Sequence, residues 1–173
     1  LSGTLKNCAG GPTPWGTWLS CEETVAEDGD EDDGRQLSYK QPHGYIFEVP
    51  AKSLGTPVPL KEMGRFVHEA VCVDPSTGIV YETEDRTPSG LYRFLPSKKG
   101  SLQEGGRLQM LAAKDAPDLI KNAHQGKTYE VSWVDIEDPD RAHTPGTRDG
   151  GGVYSQGSQQ GGTAFARLEG CWW

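Results

Sequence analysis

The stretch GTWLSCEE, residues 16–23, recurs imperfectly as GIVYETED at residues 78–85, and this repeat decides the predicted fold. A second matched pair follows, HGYIFEVP at residues 43–50 and SGLYRFLP at residues 89–96. Shorter matches join residues 60–63 to 108–111 and residues 66–70 to 166–170. Each unit is a run of about four strands, and a spacing of roughly 40–50 residues is typical of propeller blades.

Strand patterns dominate the rest of the chain. Residues that alternate between apolar and polar character are separated by turn sequences such as Asp74-Pro75-Ser76-Thr77-Gly78. We predict strands at residues 1–6, 17–23, 45–49, 66–73, 79–84, 91–95, 108–112, 129–134 and 164–172. Residues 118–123 are predicted to form one short helix. The variable stretches 24–42 and 114–162 fall between strands, as blade loops do.

These patterns predict an all-β chain with the architecture of a β-propeller. The 23 glycines and 12 prolines among 173 residues disfavour long helices and favour short strands joined by tight turns. A closed propeller needs more blades than this length supplies. We therefore expect residues 1–173 to form a single partial propeller domain of about two to three blades, part of a longer chain.

The net charge limits the partners that can be expected. Seventeen Lys and Arg stand against 25 Asp and Glu, which gives a formal net charge of −8. Such a chain has no general affinity for nucleic acid or for anionic membranes. No apolar run approaches the roughly 20 residues needed to cross a bilayer, so we expect a soluble protein.

Four cysteines leave the oxidation state of the chain open. Cys8, Cys21, Cys72 and Cys171 could form two disulfides in any of three connectivities, or remain free thiols. No CxxC pair is present, which disfavours zinc ribbons and thioredoxin-like motifs.

Acidic residues stand in an unusual place, inside or at the ends of strand-like segments and beside apolar residues. In a propeller, equivalent positions of successive blades converge on one axis. Two carboxylates about 4 Å apart repel by roughly 4 kcal/mol at an effective dielectric near 20, so such a cluster needs cations. Oxygen ligands suit calcium, magnesium, manganese or ferric iron, and a thiolate favours a transition metal. The candidate ligands are Cys21, Glu22, Glu23, Glu69, Glu84, Asp85 and Glu169.

Plainer interpretations exist for several of these residues. The carboxylates at residues 22–23 and 84–85 could be strand-end charges that lie in water or pair with Arg86. Cys21, on an apolar strand, could be a packed thiol.

Residues 7–23, NCAGGPTPWGTWLSCEE, resemble the signature of the PhoX-type alkaline phosphatases. Further similarities are GRFVHEA at residues 64–70, YETEDR at 81–86, GLYRF at 90–94 and FARLEG at 165–170. The resemblance therefore covers nearly the whole chain in order.

The resemblance implies a monomeric phosphomonoesterase that is exported by the twin-arginine route to the periplasm or secreted. It implies a six-bladed propeller with ferric iron and calcium at its centre, and a small phosphate ester as substrate. By the same resemblance Cys21 is the iron-binding thiolate, Glu69 and Glu169 are metal ligands, and Arg167 is a catalytic residue that grips the phosphate. Further ligands are expected beyond Trp173, so we expect this chain by itself to be inactive.

Two other functions remain open from the sequence. One is a non-catalytic calcium-binding propeller that acts as a scaffold or interaction module, for which family membership supplies the fold without the activity. The other is a propeller enzyme of different chemistry, such as a lactonase, which would bind one calcium without a cysteine.

Overall fold

The structure is a computed structural model, and it describes residues 3–32, 35–36, 38–143 and 152–173. Short strands and two short α-helices make up the regular structure of these residues. The strands are β1 (Asn7–Pro12), β2 (Thr17–Glu22), β3 (Glu31–Asp32), β4 (Arg35–Gln36), β5 (Ile46–Pro50), β6 (His68–Val73), β7 (Val80–Glu84), β8 (Leu91–Pro96), β9 (Gly106–Ala113) and β10 (Val131–Asp135). The helices are α1 (Leu119–Asn122) and α2 (Val153–Gln159). The prediction of an all-β chain is confirmed.

Eight of the strands lie in one sheet, in the order β10-β9-β8-β7-β6-β1-β2-β5. It consists of two antiparallel groups, β1-β2-β5 and β6-β7-β8-β9-β10. The two groups meet at β1 and β6, which run parallel and pair at Gly10 and Ala70. The first strand of each group therefore lies beside the first strand of the other.

The internal repeat is visible in the hydrogen-bond register of the two groups. Asn7 pairs with Glu22 in the first group, and His68 pairs with Glu84 in the second. In both groups the register then shifts within the next few residues of the first strand. Such bulges bend a strand and redirect its side chains, so β1 and β6 are distorted at matching positions.

Two adjacent glycines allow β1 to pack closely against its two neighbours, β2 and β6. A Cβ at Gly11 would overlap the backbone oxygen of Val71, and a Cβ at Gly10 would overlap that of Leu19. Gly10 also has a φ of 62°, in the left-handed region that side chains disfavour. The CAGGP sequence thus fixes the distance between the two groups of strands.

One apolar core lies beneath both groups. Leu19 and Ile46 of the first group and Val80 and Phe94 of the second are fully buried in it. The rings of Phe66 and Tyr92, with centroids 4.6 Å apart, pack within the same cluster. The strands are thus held by shared side-chain burial as well as by their ladders.

Seven of the nine predicted strands are confirmed, with small shifts in their ends. Residues 1–2 of the strand predicted at 1–6 lie outside the described residues, and residues 3–6 form no strand: β1 begins at Asn7, after Lys6 with a φ of 43°. The strand predicted at 164–172 is wrong: Ala164 and Phe165 make only isolated bridges, and Arg167 has a φ of 50°. Residues 60–63, matched in the repeat to a strand, end in a single 3-10 turn.

The helix predicted at residues 118–123 is confirmed as α1, and Asp118 caps it by accepting hydrogen bonds from the backbone of Ile120 and Lys121. Helix α2 is absent from the sequence prediction, because VYSQGSQ contains poor helix formers. Packing against β9 supports it: a Cβ at Gly157 would overlap the side chain of Met110. Neither helix, and no other helix in the described part of the chain, has the length and apolar character to span a membrane.

Candidate metal centre

A thiol and four carboxylates converge where β1 meets β6. Ligand atoms of Cys8, Glu23 and Glu69 all lie within 4.8 Å of one another, and so do those of Glu69, Asp85 and Glu169. Glu69 belongs to both groups and joins them into one cluster, which we call the acidic cluster. The Sγ of Cys8 donates a hydrogen bond to Oε1 of Glu69 over 3.3 Å.

The first strands of the two groups supply the centre of the acidic cluster. Cys8 follows Asn7 in β1 as Glu69 follows His68 in β6, so the two residues hold matching positions in the repeat. Glu169 holds the same position in the third copy of this motif, residues 166–170. Three matching positions thus bring one thiol and two carboxylates together.

Glu23 and Asp85 also form a matching pair, each one residue beyond the end of the second strand of its group. The backbone N–H of Glu23 donates to the carbonyl of Lys6, and that of Asp85 donates to the carbonyl of Val67. These two hydrogen bonds hold the residue after β2 and the residue after β7 against the chain that leads into the first strand of each group. Both carboxylates are thereby directed toward Glu69.

Arg167 supplies a positive charge at the edge of the acidic cluster. One of its guanidinium nitrogens lies 3.0 Å from Oδ2 of Asp85 and 3.4 Å from Oε1 of Glu169. Its backbone N–H donates to the carbonyl of Arg86. The Arg167 side chain is 66% exposed, so its remaining donors face solvent.

The electrostatics of the acidic cluster favour added cations. Burial, and then the hydrogen bond to Glu69, raise the pKa of the Cys8 thiol to about 11. Burial and a hydrogen bond with Asp85 raise the pKa of Glu23. Oδ1 of Asp85 is buried without a hydrogen-bond partner. The protein therefore concentrates more negative charge here than Arg167 offsets, and a cation would satisfy both the charge and the unpartnered oxygen.

The donor set suits a transition metal together with hard cations. A deprotonated thiol of Cys8 is a ligand for iron, and the carboxylates at Glu23, Glu69, Asp85 and Glu169 are ligands for calcium or iron. The residues present therefore fit the metals that the resemblance implies.

Five of the candidate residues named from the sequence come together in the acidic cluster or at its edge. They are Glu23, Glu69, Asp85, Arg167 and Glu169. Three others, Cys21, Glu22 and Glu84, lie elsewhere.

Cys21 lies in the apolar core and belongs to neither group of clustered ligands among the described residues. Its side chain is fully buried with Leu19 and Ile46, and burial raises the pKa of its thiol well above the usual value. The charges of Glu82 and Glu69 raise this pKa further, so Cys21 lies within electrostatic range of the acidic cluster. Cys21 lies directly opposite Cys8 in the ladder of β1 and β2, and the role of this thiol as a metal ligand stays a prediction.

Glu22 and Glu84 are buried residues that hold the start of the third strand in each group. Oε2 of Glu22 accepts hydrogen bonds from the backbone N–H groups of Gly44 and Tyr45, at 2.7 and 3.1 Å. Oε2 of Glu84 accepts from the backbone N–H of Gly90 and from the hydroxyl of Tyr92, at 2.9 and 2.8 Å. These matching contacts give both carboxylates a structural role in the fold, and their role as metal ligands stays a prediction.

Cys8 is the member of the acidic cluster that the sequence-based list omits. A strand placed at residues 1–6 left it outside the repeat. Aligning Asn7-Cys8-Ala9 with His68-Glu69-Ala70 would have given Cys8 and Glu69 the same position.

Comparisons with known proteins agree with the fold. The chain resembles, in structure, PhoX of Pseudomonas fluorescens in complex with vanadate, a transition state analogue, with a TM-score of 0.62 and 20% sequence identity. The match covers 96% of this chain and 37% of that protein. No match was found among curated proteins. The family model described as alkaline phosphatase PhoX matches residues 1–173, and the chain therefore belongs to the PhoX alkaline phosphatase family.

Proposed function

We propose that the protein carrying this chain hydrolyses phosphate monoesters at a metal centre built on the acidic cluster. The observation that carries the proposal is the convergence of Cys8 and three carboxylates, those of Glu23, Asp85 and Glu169, on the carboxylate of Glu69. Membership of the PhoX family supports the reaction class. The vanadate bound by the structural neighbour, a transition state analogue there, supports phosphoryl transfer.

We propose ferric iron and calcium as the metals, with Cys8 in the role first given to Cys21. A thiolate binds iron far better than it binds calcium, whereas carboxylates bind both. Glu23, Glu69, Asp85 and Glu169 would supply the oxygen ligands.

The residues of the chain would bind and orient the phosphate, and one of them would release a proton when the metal binds. Bound cations would supply electrostatic stabilisation of the transferring phosphoryl group. Arg167 would turn its exposed guanidinium edge to two phosphate oxygens while Asp85 and Glu169 hold its other side. Cys8 would lose its Sγ proton when the metal binds, because the thiolate is the ligand form.

The strand arrangement supports a partial propeller made from residues 1–173. In this assignment β1, β2 and β5 belong to one blade, β6–β9 belong to the next, and residues 166–170 begin a third. A six-bladed ring would need further blades, and the chain spans 37% of its structural neighbour. We propose that those blades supply more metal ligands and that the chain alone is inactive.

By the same family resemblance we propose an exported, monomeric protein, periplasmic or secreted, that acts on small phosphate esters. Its charge of −8 agrees with the lack of a nucleic-acid or membrane partner.

The decisive experiment compares two cysteine variants in the whole protein. We expect Cys8→Ser to lose its bound iron, because the thiolate ligand is gone. Its rate of p-nitrophenyl phosphate hydrolysis should fall at least 100-fold. The matched variant Cys21→Ser changes a thiol in the core. Its folded fraction should keep the iron content and the turnover of the unaltered protein. Iron and calcium are measured by elemental analysis.

Three outcomes would contradict the proposal. Full activity of Cys8→Ser would remove the metal centre described here. Calcium without iron, and without turnover in the unaltered protein, would favour the scaffold function. Lactone hydrolysis at a single calcium would favour the other enzyme class.

A further inference from the structure

A second pair of cysteines lies outside the acidic cluster. The Sγ atoms of Cys72 and Cys171 are 2.9 Å apart, although 99 positions separate the residues in the chain. Cys72 is buried in β6, and Cys171 is half-buried. A disulfide has an S–S distance of about 2.05 Å, so a movement of less than about 1 Å would join the two sulfurs.

The segment that contains Cys171 has little regular structure to hold it. Among the described residues, no strand pairs with residues 166–173, and the segment follows the isolated bridge between Ser89 and Phe165. A main-chain bond from the N–H of Arg167 to the carbonyl of Arg86 fixes its beginning. A contact near its end is therefore well placed to determine where the segment lies.

Both cysteines are close in sequence to residues of the acidic cluster. Cys72 lies three residues after Glu69 on β6, and Cys171 lies two residues after Glu169. A bond between them would hold β6, which carries Glu69, against residues 166–173, which carry Glu169.

We propose that Cys72 and Cys171 form a disulfide that fastens residues 166–173, with Arg167 and Glu169, to β6. The bond is independent of phosphatase activity, and its test uses no assay of that activity. Cys8 and Cys21 lie opposite each other on β1 and β2, but in the described part of the chain the Sγ of Cys8 bonds to Glu69 rather than to Cys21, which packs in the core.

The bond would form by thiol–disulfide exchange with a small disulfide, for which glutathione disulfide is the probe. The more exposed Cys171 attacks, as thiolate, one sulfur of glutathione disulfide and releases one glutathione thiolate, which takes up a proton. Cys72 then loses its proton to solvent and attacks Sγ of Cys171, which releases the second glutathione. Two protein thiols are oxidised by two electrons, and one glutathione disulfide is reduced to two thiols.

The first measurement is peptide mapping of the whole protein after equilibration with glutathione disulfide and blocking of free thiols. Tryptic digestion without reductant should give one cross-linked species that joins residues 66–86 to the peptide beginning at Leu168. Reduction should separate the two. Alkylated thiols at both Cys72 and Cys171 in the oxidised sample would overturn the proposal.

The second measurement is backbone hydrogen exchange of residues 166–173 in the oxidised and reduced protein. We expect exchange to rise at least tenfold on reduction, while strands β7 and β8 change little. Equal exchange in a cross-linked protein would overturn the fastening role. The variant Cys171→Ser should exchange like the reduced protein and should not respond to glutathione.

Thermal unfolding gives a third readout. Because a disulfide across a long loop restricts the unfolded chain, we expect the oxidised protein to melt on the order of 5–10 °C above the reduced one. The variant Cys72→Ser, Cys171→Ser should show no difference between oxidising and reducing buffer. A wild-type protein that also shows none would contradict the proposal.

Discussion

The Sγ of Cys8 lies 3.3 Å from Oε1 of Glu69, across the parallel pairing of β1 and β6 that joins the two groups of strands. The two residues hold the same position in successive repeats, yet one is a thiol and the other a carboxylate. Gly11 makes the approach possible, because a side chain there would overlap the backbone oxygen of Val71 on β6. A local sequence feature thus sets the geometry of a site made from distant residues.

The close approach of β1 and β6 predicts that Gly11→Ala will be destabilising. Its Cβ would overlap the oxygen of Val71, so the two strands must move apart. We expect a loss of about 1–3 kcal/mol in the free energy of unfolding, measured by urea denaturation, and weaker metal binding. An unchanged urea midpoint would show that the strands can separate without cost.

The adjacent residues Glu22 and Glu23 should respond oppositely to the same change. Glu22→Gln places an amide group against the N–H donors of Gly44 and Tyr45 and should lower the free energy of unfolding by at least about 2 kcal/mol. Glu23→Gln removes a carboxylate from the acidic cluster and should lower metal content while leaving the stability of the metal-free protein within about 1 kcal/mol.

The two variants are compared by urea denaturation of the metal-free protein and by elemental analysis of the loaded protein. Metal loss in folded Glu22→Gln, with none in Glu23→Gln, would reverse the assignment of the two carboxylates.

The protonated state of Cys8 predicts that iron affinity rises with pH. The pKa of its thiol is raised to about 11, so at pH 7 the metal must displace a proton, and it displaces fewer as pH approaches that value. Competition with a chelator between pH 7 and 9 should show affinity increasing with pH. In a plot of the logarithm of iron affinity against pH, the slope for Cys8→Ser should be smaller than that of the unaltered protein by up to about 1, which corresponds to one proton released. An equal slope would argue against thiolate ligation.

Arg167→Lys should weaken phosphate binding, because an ammonium group cannot reproduce the planar fork of guanidinium. We expect kcat/KM for p-nitrophenyl phosphate to fall on the order of tenfold or more. Arg107→Lys is the control, since Arg107 is also exposed and pairs with a carboxylate, that of Asp135. Equal effects in the two variants would indicate a general charge effect.

The turn between β6 and β7 predicts a loss of stability in acid. Hydrogen bonds from Thr77 and then Ser76 lower the pKa of Asp74 to about 2. A carboxyl group with a depressed native pKa stabilises the fold fully above its unfolded value, near 4, and this contribution is lost as pH falls toward about 2. Asp74→Asn should flatten this part of the profile of urea midpoint against pH. An unchanged profile would contradict the assignment.

The sequence alone predicted seven strands, helix α1 and four of the five members of the acidic cluster. Alternating side chains and turn residues act over a few positions, so these elements need little information from the rest of the chain. Helix α2 depends on packing against Met110 and has no strong local signal. The segment 164–172 has a strand-like sequence, but a strand forms only where a neighbour supplies hydrogen bonds.

By itself, the sequence determined the all-β class, the repeat and the set of acidic residues from which a metal centre could be made. Only the tertiary structure decided that Cys8 bonds to Glu69 while Cys21, opposite it on β2, packs in the core, and that Glu22 and Glu84 hold backbone while Glu23 and Asp85 reach the acidic cluster. The physical reason is that neighbouring residues on a strand point to opposite faces. Which of two neighbouring carboxylates faces the acidic cluster is therefore set by the pairing of each strand with distant parts of the chain.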